Sequence, residues 1–254
     1  MIFNFCTSAK KIFRSFQIKE MNISINTQLN FQSKANPIFP FVMKTKHGRL
    51  NIAEATQKDI RRDGFVDKLT KMFCKNFATS TNDPAWKVFL KHNTYNYGDD
   101  IKNFIKYYSS KVKSNDENMT LLLAKDKRNK IQGACLAYGY DRIPGAKDTT
   151  LYIDSIAINP AYRGFSVGRK MMEKVMESAK EKFTDVFLAG DKFVSGFYER
   201  MGFKPLDPKD EAQKSIIDYI LKCRSDYPHY IDLYTKPLRE HSDRWYSECA
   251  KELK

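Results

Sequence analysis

The sequence of 254 residues lacks the patterns that define several large classes of protein. Its five cysteines, Cys6, Cys74, Cys135, Cys223 and Cys249, form no C-x-x-C, and its four histidines form no H-E-x-x-H. A disulfide framework and a metal site are therefore not expected. No apolar run approaches the ~20 residues that cross a bilayer, and 11 glycines with 9 prolines are too few for a collagen-like chain. We expect a soluble, cytoplasmic globular protein with no membrane partner.

Acidic residues are scarce, and the resulting positive charge is unevenly distributed. The 44 Lys and Arg outnumber the 30 Asp and Glu for a net charge of +14, and residues 1–48 hold seven basic residues against one acidic residue. We predict that residues 1–48 form a basic, disordered leader; an organelle-targeting segment and a docking arm are the alternatives. Nucleic-acid binding is not expected, because the sequence has no RNP-like run, zinc finger or concentrated basic helix.

Hydrophobic periodicity predicts the order of the secondary structure. Strand-like and helix-like patterns alternate along the chain. The predicted order is strand 49–56, helix 57–77, a helical piece at 98–113, strands 119–125 and 131–140, strand 150–158, helix 167–183, strand 184–189, an amphipathic segment 193–201, a helical stretch 209–225 and a last strand at 229–238. The pair 119–125 and 131–140 predicts an antiparallel hairpin, whereas strands that flank a helix are typical of a parallel crossover. The expected fold class is α/β (α+β) with one mixed central sheet.

The stretch from residue 153 to residue 172 is the most informative about chemistry. A strand ends at Asn159-Pro160, the chain turns through residues 163–168, and a long helix begins at once. Such a turn directs successive backbone N–H groups outward at a helix N-terminus, where they bind phosphate oxygens. Gly164 and Gly168 permit conformations and close approaches that a Cβ would obstruct. A plain strand-to-helix turn is the alternative, and the spacing is neither that of a nucleoside-triphosphate loop nor that of a dinucleotide fingerprint.

Residues 163–168 resemble the acetyl-CoA signature R/Q-x-x-G-x-G/A of the GNAT superfamily of N-acyltransferases. Arg163 and Gly168 match the ends of that signature, and Ser166 stands where its middle glycine is usual. A second motif, DKFVSGFYERMGF at 191–203, resembles the family's N-x-x-A-x-x-F-Y-E-x-x-G-F. The resemblance covers about residues 49–238, with the stretch 209–225 as an insertion and residues 239–254 as a helical tail, and it implies a GNAT-like sheet of about six to seven strands flanked by helices.

The resemblance also implies an activity and a set of site residues. The activity is transfer of an acetyl group from acetyl-CoA to a primary amine in a ternary complex, with Tyr198 as the general acid near the CoA sulfur. Two strands, 150–158 and 184–189, are expected to splay and admit the pantetheine arm, and the N–H of Ile158 is expected to polarise the thioester carbonyl. The expected cofactor-binding residues are Ile156, Ala157, Ile158, Arg163, Gly164, Phe165, Ser166, Val167, Gly168, Arg169 and Tyr198.

The base, the acceptor and the assembly are less determined by the sequence. Strict alternation places Tyr152, Asp154, Ile156 and Ile158 on one strand face. Asp154 is the candidate base, acting through a water, although a strand Asp equally well caps a neighbouring loop. The acceptor is an amine of unidentified type, a small molecule or a peptide, and the chain is expected to be a monomer or homodimer. A GNAT-fold module that binds acyl-CoA without turnover, as a sensor or scaffold, is the alternative function.

Overall fold

The computed structural model describes residues 38–78, 101–106, 108, 119–139, 150–211, 213–215, 217–218 and 231–238. Residues 38–254 belong to one compact unit. In the predicted helical stretch 209–225, residues 209 and 210 form a turn and a bend, whereas residues 211, 213–215 and 217–218 are helical. The first 37 residues of the predicted leader and the predicted tail 239–254 lie outside the described residues.

One mixed sheet organises the described residues. Its strands are β1 (Phe41–Thr45), β2 (Gly48–Glu54), β3 (Met119–Lys125), β4 (Ile131–Gly139), β5 (Thr150–Ile158), β6 (Asp185–Asp191), β7 (Lys204–Pro205) and β8 (Ile231–Pro237), in the spatial order β1-β2-β3-β4-β5-β6-β8-β7. Among the described strands only the β5–β6 pair is parallel, since a helical crossover joins these two strands. The predicted fold class is confirmed, and the described residues form eight strands in place of the expected six to seven.

Strand β1 corrects the predicted end of the leader. The sequence predicted a leader that extends to residue 48, whereas Phe41–Thr45 pairs antiparallel with β2. Phe41 and Met43 are half-buried against the core while Val42 and Lys44 are exposed, which is the alternation of an edge strand. The signal is weak in the sequence because the strand is short and its outer face carries a lysine.

The first predicted helix is divided into two helices. Helix α1 (Gln57–Ile60) begins with a capping box between Thr56 and Asp59, and helix α2 (Phe65–Ala78) follows after a break. Gly64, which directly precedes α2, has φ +65°, a left-handed conformation that a continuous α-helix excludes and that glycine adopts without a steric penalty. The sequence predicted one continuous helix over 57–77, because the apolar spacing continues across the break.

Helix α3 (Val167–Ala179) provides the crossover between β5 and β6, and the short helix α4 (Ser195–Glu199) follows β6. The predicted helix 167–183 begins as expected and ends earlier, at Ala179, and one face of it is buried: Val167, Met171, Met172, Val175, Met176 and Ala179. The predicted strand 150–158 has the bounds of β5, and the last predicted strand contains β8 (Ile231–Pro237), while its residues 229 and 230 lie outside the described residues.

The sheet has a core on each face. The first hydrophobic cluster joins the sheet to α3 and to α4, and includes Ile153, Ile158, Met172 and Tyr198. The second cluster joins the opposite face to α2 and to the helical residues 101–106. Among the described helices none is both long and apolar enough to span a membrane.

Candidate active site

Strands β5 and β6 pair over a short distance and then part. Their parallel register covers only Thr150 with Asp185, Leu151 with Val186, and Tyr152 with Phe187, so the remainder of each strand lies beyond the last pair. We call the space beyond Tyr152 and Phe187 the β5–β6 gap. The resemblance to the GNAT superfamily implies that these strands splay, and the register agrees with that prediction.

A β-bulge at Asp154 changes which residues of β5 share a face. Leu136 of β4 pairs with Ser155, the next residue Ala137 pairs with Ile153, and Asp154 is the extra residue. An extra residue reverses the alternation of side chains along a strand. Leu151 and Ile153 before the bulge therefore lie in the same cluster as Ile158 after it.

The predicted strict alternation on β5 is consequently wrong. Tyr152 does not share a face with Ile156 and Ile158, because its ring packs edge-on against Tyr138, with ring centroids 5.5 Å apart. Tyr138 belongs to the opposite core. The sequence does not reveal the bulge, since no glycine or proline marks it.

The main chain of β5 faces the gap at alternate residues. The Asn159 N–H donates to Gln132 O at 2.8 Å, so Asn159 and Gln132 form a hydrogen-bonded pair of the antiparallel ladder. The ladder alternates, and the N–H groups of Ile156 and Ile158 therefore face away from β4, on the side of the gap. Ala157 is registered with Ala134 in a hydrogen-bonded position, so the structure corrects its predicted main-chain contact with a cofactor.

The loop after β5 leaves a row of N–H donors at the start of α3. Gly164 has φ +80° and Ser166 has φ +59°, and Ser166 makes no side-chain cap hydrogen bond although it is the N-cap residue. The first backbone bond of the helix is from Lys170 N–H to Ser166 O at 2.9 Å. In the described part of the chain, the N–H groups of residues 164–169 have no hydrogen-bond acceptor. Successive N–H groups in such a turn form an anion-binding concavity.

Ser166 stands where the acetyl-CoA signature usually has glycine, and its backbone is left-handed. A left-handed conformation costs a residue with a Cβ about 1–2 kcal/mol. Serine is small, and the N–H at this position is kept. The departure from the family signature is therefore accommodated by backbone strain at one residue.

Gly168 lets the first turn of α3 approach β5 closely. A Cβ at this position would lie 3.3 Å from Ile158 Cγ1 and 3.8 Å from Phe197 Cζ. The sequence predicted that a larger side chain here would obstruct phosphates, and the structure adds that it would first push α3 away from β5. Gly168 is thus a spacer between the helix and the strand that faces the gap.

The Arg163 guanidinium braces the loop. Its Nε donates to Ile158 O at 3.1 Å, and its Nη2 donates to Asn76 O at 3.0 Å and Asn76 Oδ1 at 3.3 Å. Asn76 lies in the last turn of α2, where carbonyls favour a cation. Burial lowers the pKa of Arg163 from its ordinary value. These bonds tie the end of β5 to α2, and a phosphate contact by this side chain stays a prediction.

Arg169 is the exposed cation of the first turn of α3. Its Nε donates to Glu173 Oε1 at 2.8 Å, and Lys170 Nζ lies 3.1 Å from the other oxygen of the same carboxylate. Glu173 thus has two cationic partners at the helix start. Hydrogen bonds from Arg169 and Lys170 lower the pKa of the Glu173 carboxyl.

Tyr198 lies in α4 and packs onto β6 beyond the last β5–β6 pair. A Cβ at Gly190 would lie 2.5 Å from Tyr198 Cε2, so the ring needs a glycine on β6. Tyr198 is 9% exposed, and its ring centroid lies 5.3 Å from those of Phe197 and Tyr234. The ring is therefore part of the core. It packs against Gly190 of β6, the strand that borders the gap.

Asp154 accepts two side-chain hydrogen bonds beside the bulge. Ser155 Oγ donates to Oδ2 at 2.9 Å, and Tyr138 Oη approaches Oδ1 at 3.3 Å. Burial, and secondarily the charge of Asp154, raise the pKa of the Cys135 thiol to about 12. Asp154 is thus a half-buried carboxylate held in place by two hydroxyl groups.

The structure adds residues that the sequence did not indicate. Asn76 and Gly190 act through contacts with Arg163 and Tyr198, and no local pattern marks either residue. Lys46 and His47 lie in the β1–β2 turn, within the predicted leader. The His47 ring contacts the Tyr162 and Phe165 rings, and the Lys46 ammonium lies over the Phe165 ring. The pairing of strands in the sheet brings these residues together.

Comparison with known proteins gives one matching family model and several similar structures. Residues 85–203 match the acetyltransferase (GNAT) family. An uncharacterized ycf52-like N-acetyltransferase of Prochlorococcus marinus is 36% identical over 72 residues, which are 28% of this chain and 39% of the relative. The match thus spans about two fifths of that relative's length.

Solved structures that align with this chain have low sequence identity to it. A GNAT-family acetyltransferase of Listeria monocytogenes aligns with a TM-score of 0.49 at 13% identity, over 78% of this chain and 99% of that one. A PaiA N-acetyltransferase of Thermoplasma acidophilum in complex with coenzyme A aligns with a TM-score of 0.46 at 12% identity, over 74% and 98%.

The residues matched by the GNAT family model contain both sequence motifs. The matched range 85–203 includes the loop 163–168, the whole of α3 and the aromatic motif that ends at Phe203. Both sequence motifs thus fall inside it, in the expected order and on either side of the β5–β6 gap. Residues 85–203 are therefore similar to an acetyltransferase domain of the GNAT family.

Proposed function

We propose that this protein is an acetyl-CoA-dependent N-acetyltransferase that acts on a primary amine by direct transfer in a ternary complex. The observation that supports this most is the row of uncapped N–H groups at residues 164–169, placed where β5 and β6 diverge. A phosphate-binding turn at the end of an open strand pair suits a long ligand with a phosphorylated end and an extended arm.

The residues present fit coenzyme A. The N–H groups of residues 164–169 hold the pyrophosphate, and the main-chain groups of Ile156 that face the gap pair with the amides of the pantetheine arm. Bound acetyl-CoA supplies a thioester-activated acetyl group. The N–H of Ile158 then donates to the thioester carbonyl oxygen and stabilises negative charge that develops there.

The transfer balances as one acyl exchange. The acceptor nitrogen attacks the carbonyl carbon, a C–N bond forms and the C–S bond breaks. Tyr198 gives its hydroxyl proton to the departing sulfur, whose thiol pKa is near that of a phenol. Asp154 takes the proton that the amine loses, through a water, and Tyr138 and Ser155 keep its carboxylate oriented. Positioning in the ternary complex provides much of the remaining rate enhancement.

Ligand binding and turnover test this proposal separately. The folded protein is titrated with acetyl-CoA and with CoA in a thermal-shift assay, and release of CoA thiol is then followed over a panel of small amines, aminoglycoside-like compounds and peptide N-termini. A ligand at 100 times its dissociation constant stabilises the fold by about 2.7 kcal/mol. No shift with either ligand would overturn the cofactor assignment.

Substitution Tyr198→Phe separates an enzyme from a module that only binds acyl-CoA. Phenylalanine keeps the packing against Gly190 and removes the proton, so we expect kcat to fall roughly 100-fold with the CoA dissociation constant nearly unchanged. The matched control is Tyr234→Phe, which makes the same change in the neighbouring ring, 5.3 Å away, and should retain activity. An active Tyr198→Phe would refute the acid role; CoA binding without thiol release over the whole panel would favour the sensor.

A further inference from the structure

The β1–β2 turn lies directly against the loop that precedes α3. The His47 ring contacts Tyr162 and Phe165 edge-on, with ring centroids 5.6 and 6.1 Å apart. Lys46 Nζ lies 5.5 Å from the centroid of the Phe165 ring. Within the turn, Thr45 Oγ1 donates to Gly48 O at 2.9 Å and accepts from His47 N–H at 3.2 Å, so the turn has a defined conformation.

Two segments of the same charge meet at this contact. Residues 38–53 contain Lys44, Lys46 and Arg49 and no acidic residue, and residues 159–170 contain three basic residues and no acidic residue. Like charges that are brought together destabilise a fold unless an anion lies between them. Glu173 pairs with Arg169 and Lys170, whereas Lys46 has no carboxylate partner among the described residues.

The ring contacts explain how the turn is held but not why its tip is cationic. A lysine over a phenylalanine ring contributes about 0.5–1 kcal/mol at an exposed site, and Lys46 is exposed. An exposed ammonium is a compact point charge that pairs well with phosphate. The tip of the turn therefore adds a cation beside the loop that holds the pyrophosphate.

We propose that Lys46 binds the 3′-phosphate of CoA and that His47 positions the turn for this contact. The inference depends on the proposed function, because the loop must first bind the pyrophosphate. Six backbone N–H groups serve the pyrophosphate, so the 3′-phosphate is the anion of CoA that still needs a partner. Lys46 then determines selectivity for CoA over dephospho-CoA, which lacks that phosphate.

The test measures dissociation constants of CoA and dephospho-CoA by calorimetry at low salt for the wild type, Lys46→Met and Lys44→Met. We expect Lys46→Met to weaken CoA binding about three- to tenfold, as for one exposed or half-exposed phosphate contact, and to leave dephospho-CoA binding unchanged. Lys44→Met removes the same charge from the outer face of β1 and should change neither constant more than about twofold.

Each outcome bears on one of the two proposals. If the wild type binds neither ligand, the proposed function fails. If the wild type binds CoA and Lys46→Met binds it equally well, or weakens both ligands alike, the assignment of the 3′-phosphate to Lys46 is wrong while the cofactor stands. A wild type that binds CoA and dephospho-CoA with equal affinity also contradicts the proposal, and this measurement does not depend on the folding of any variant. The apo melting temperature of Lys46→Met checks that the turn is intact.

Discussion

Among the described helices, α1 and α3 each have a hydroxyl residue as N-cap, and their first turns are opposite in character. At α1, Thr56 has extended φ −88° and ψ 164°, its Oγ1 accepts from Asp59 N–H, and Asp59 in turn accepts from Thr56 N–H. At α3, Ser166 has φ +59° and makes no such bond. The side-chain oxygen reaches the N–H groups of the first turn from the extended conformation.

The difference shows how one residue type serves stability in one place and binding in another. The start of α1 uses its own side chains to satisfy its donors, and Lys125 forms an ion pair with Asp59 from β3. The start of α3 leaves its donors directed outward beside the β5–β6 gap. The sequence records part of the difference, because the third residue of the helix is Asp59 in α1 and Arg169 in α3.

The largest expected effect comes from moving the first turn of α3. Gly168→Val places a branched side chain 3.3 Å from Ile158, and the shift of α3 should misplace the N–H donors. We expect CoA affinity to fall by at least tenfold, since several charge-assisted hydrogen bonds of about 1.5–3 kcal/mol each are weakened. Gly168→Ala is the graded control and should lie between wild type and valine in calorimetric titrations. Unchanged CoA affinity in Gly168→Val would contradict the role of this loop.

A second change makes the start of α3 resemble that of α1. Ser166→Asp puts a carboxylate beside the donors, which stabilises the apo helix by about 0.3–1 kcal/mol and repels phosphate. We expect a higher apo melting temperature together with about tenfold weaker CoA binding, roughly 1.4 kcal/mol. Ser166→Asn is the neutral control with the same shape. If the Ser166→Asp and Ser166→Asn variants bind CoA equally well, the N–H groups of residues 164–169 are not the phosphate site.

The smallest expected effect concerns the capped start of α1. Burial acts to raise the pKa of Asp59, but hydrogen bonds from Lys125 and Thr56 outweigh it and hold the pKa below its ordinary value of 3.8. A lowered folded-state pKa contributes stability that is present well above 3.8 and is lost as the pH falls through the lowered value. We expect Asp59→Asn to cost about 1 kcal/mol at pH 7, and the cost should fade as the pH falls through the lowered pKa.

Urea unfolding of both proteins between pH 2 and 7 measures that difference, with CoA affinity as the control. The affinity should be unchanged at pH 7, because α1 contributes no donor to the gap. A stability difference that does not depend on pH would mean that the carboxylate is not the stabilising group. A loss of CoA affinity in Asp59→Asn would contradict the view that the start of α1 serves stability alone while the start of α3 serves binding.

The elements of the fold were largely predictable, and the errors have local causes. Strand β5, the start of helix α3 and the hairpin of β3 with β4 were predicted nearly to the residue, because apolar alternation and spacing are strong there. The predicted helix over 57–77 was wrong at residues 61–64, where a break that includes a left-handed glycine interrupts a pattern that otherwise continues. Strand β1 was missed because an edge strand buries only one face.

The site was predictable by motif and less so by geometry. The loop 163–168 and Tyr198 were predicted as site residues because their residue types recur at fixed spacing in one family. The face of Tyr152 was predicted wrongly, because a bulge at Asp154 inserts one residue without a sequence signal. The main chain of Ala157 was predicted to meet the cofactor, and its register with Ala134 directs it to β4 instead.

The sequence by itself determined most of the helices and strands and the resemblance to one family, since periodicity and motif spacing depend on residues near each other in the chain. Only the tertiary structure decided where the β5–β6 gap opens, which N–H groups face it and what the charged side chains contact. Arg163 binds Asn76, 87 residues away, and Lys46 reaches Phe165 from the predicted leader. Such partners are set by how strands and helices pack, and no local pattern encodes that packing.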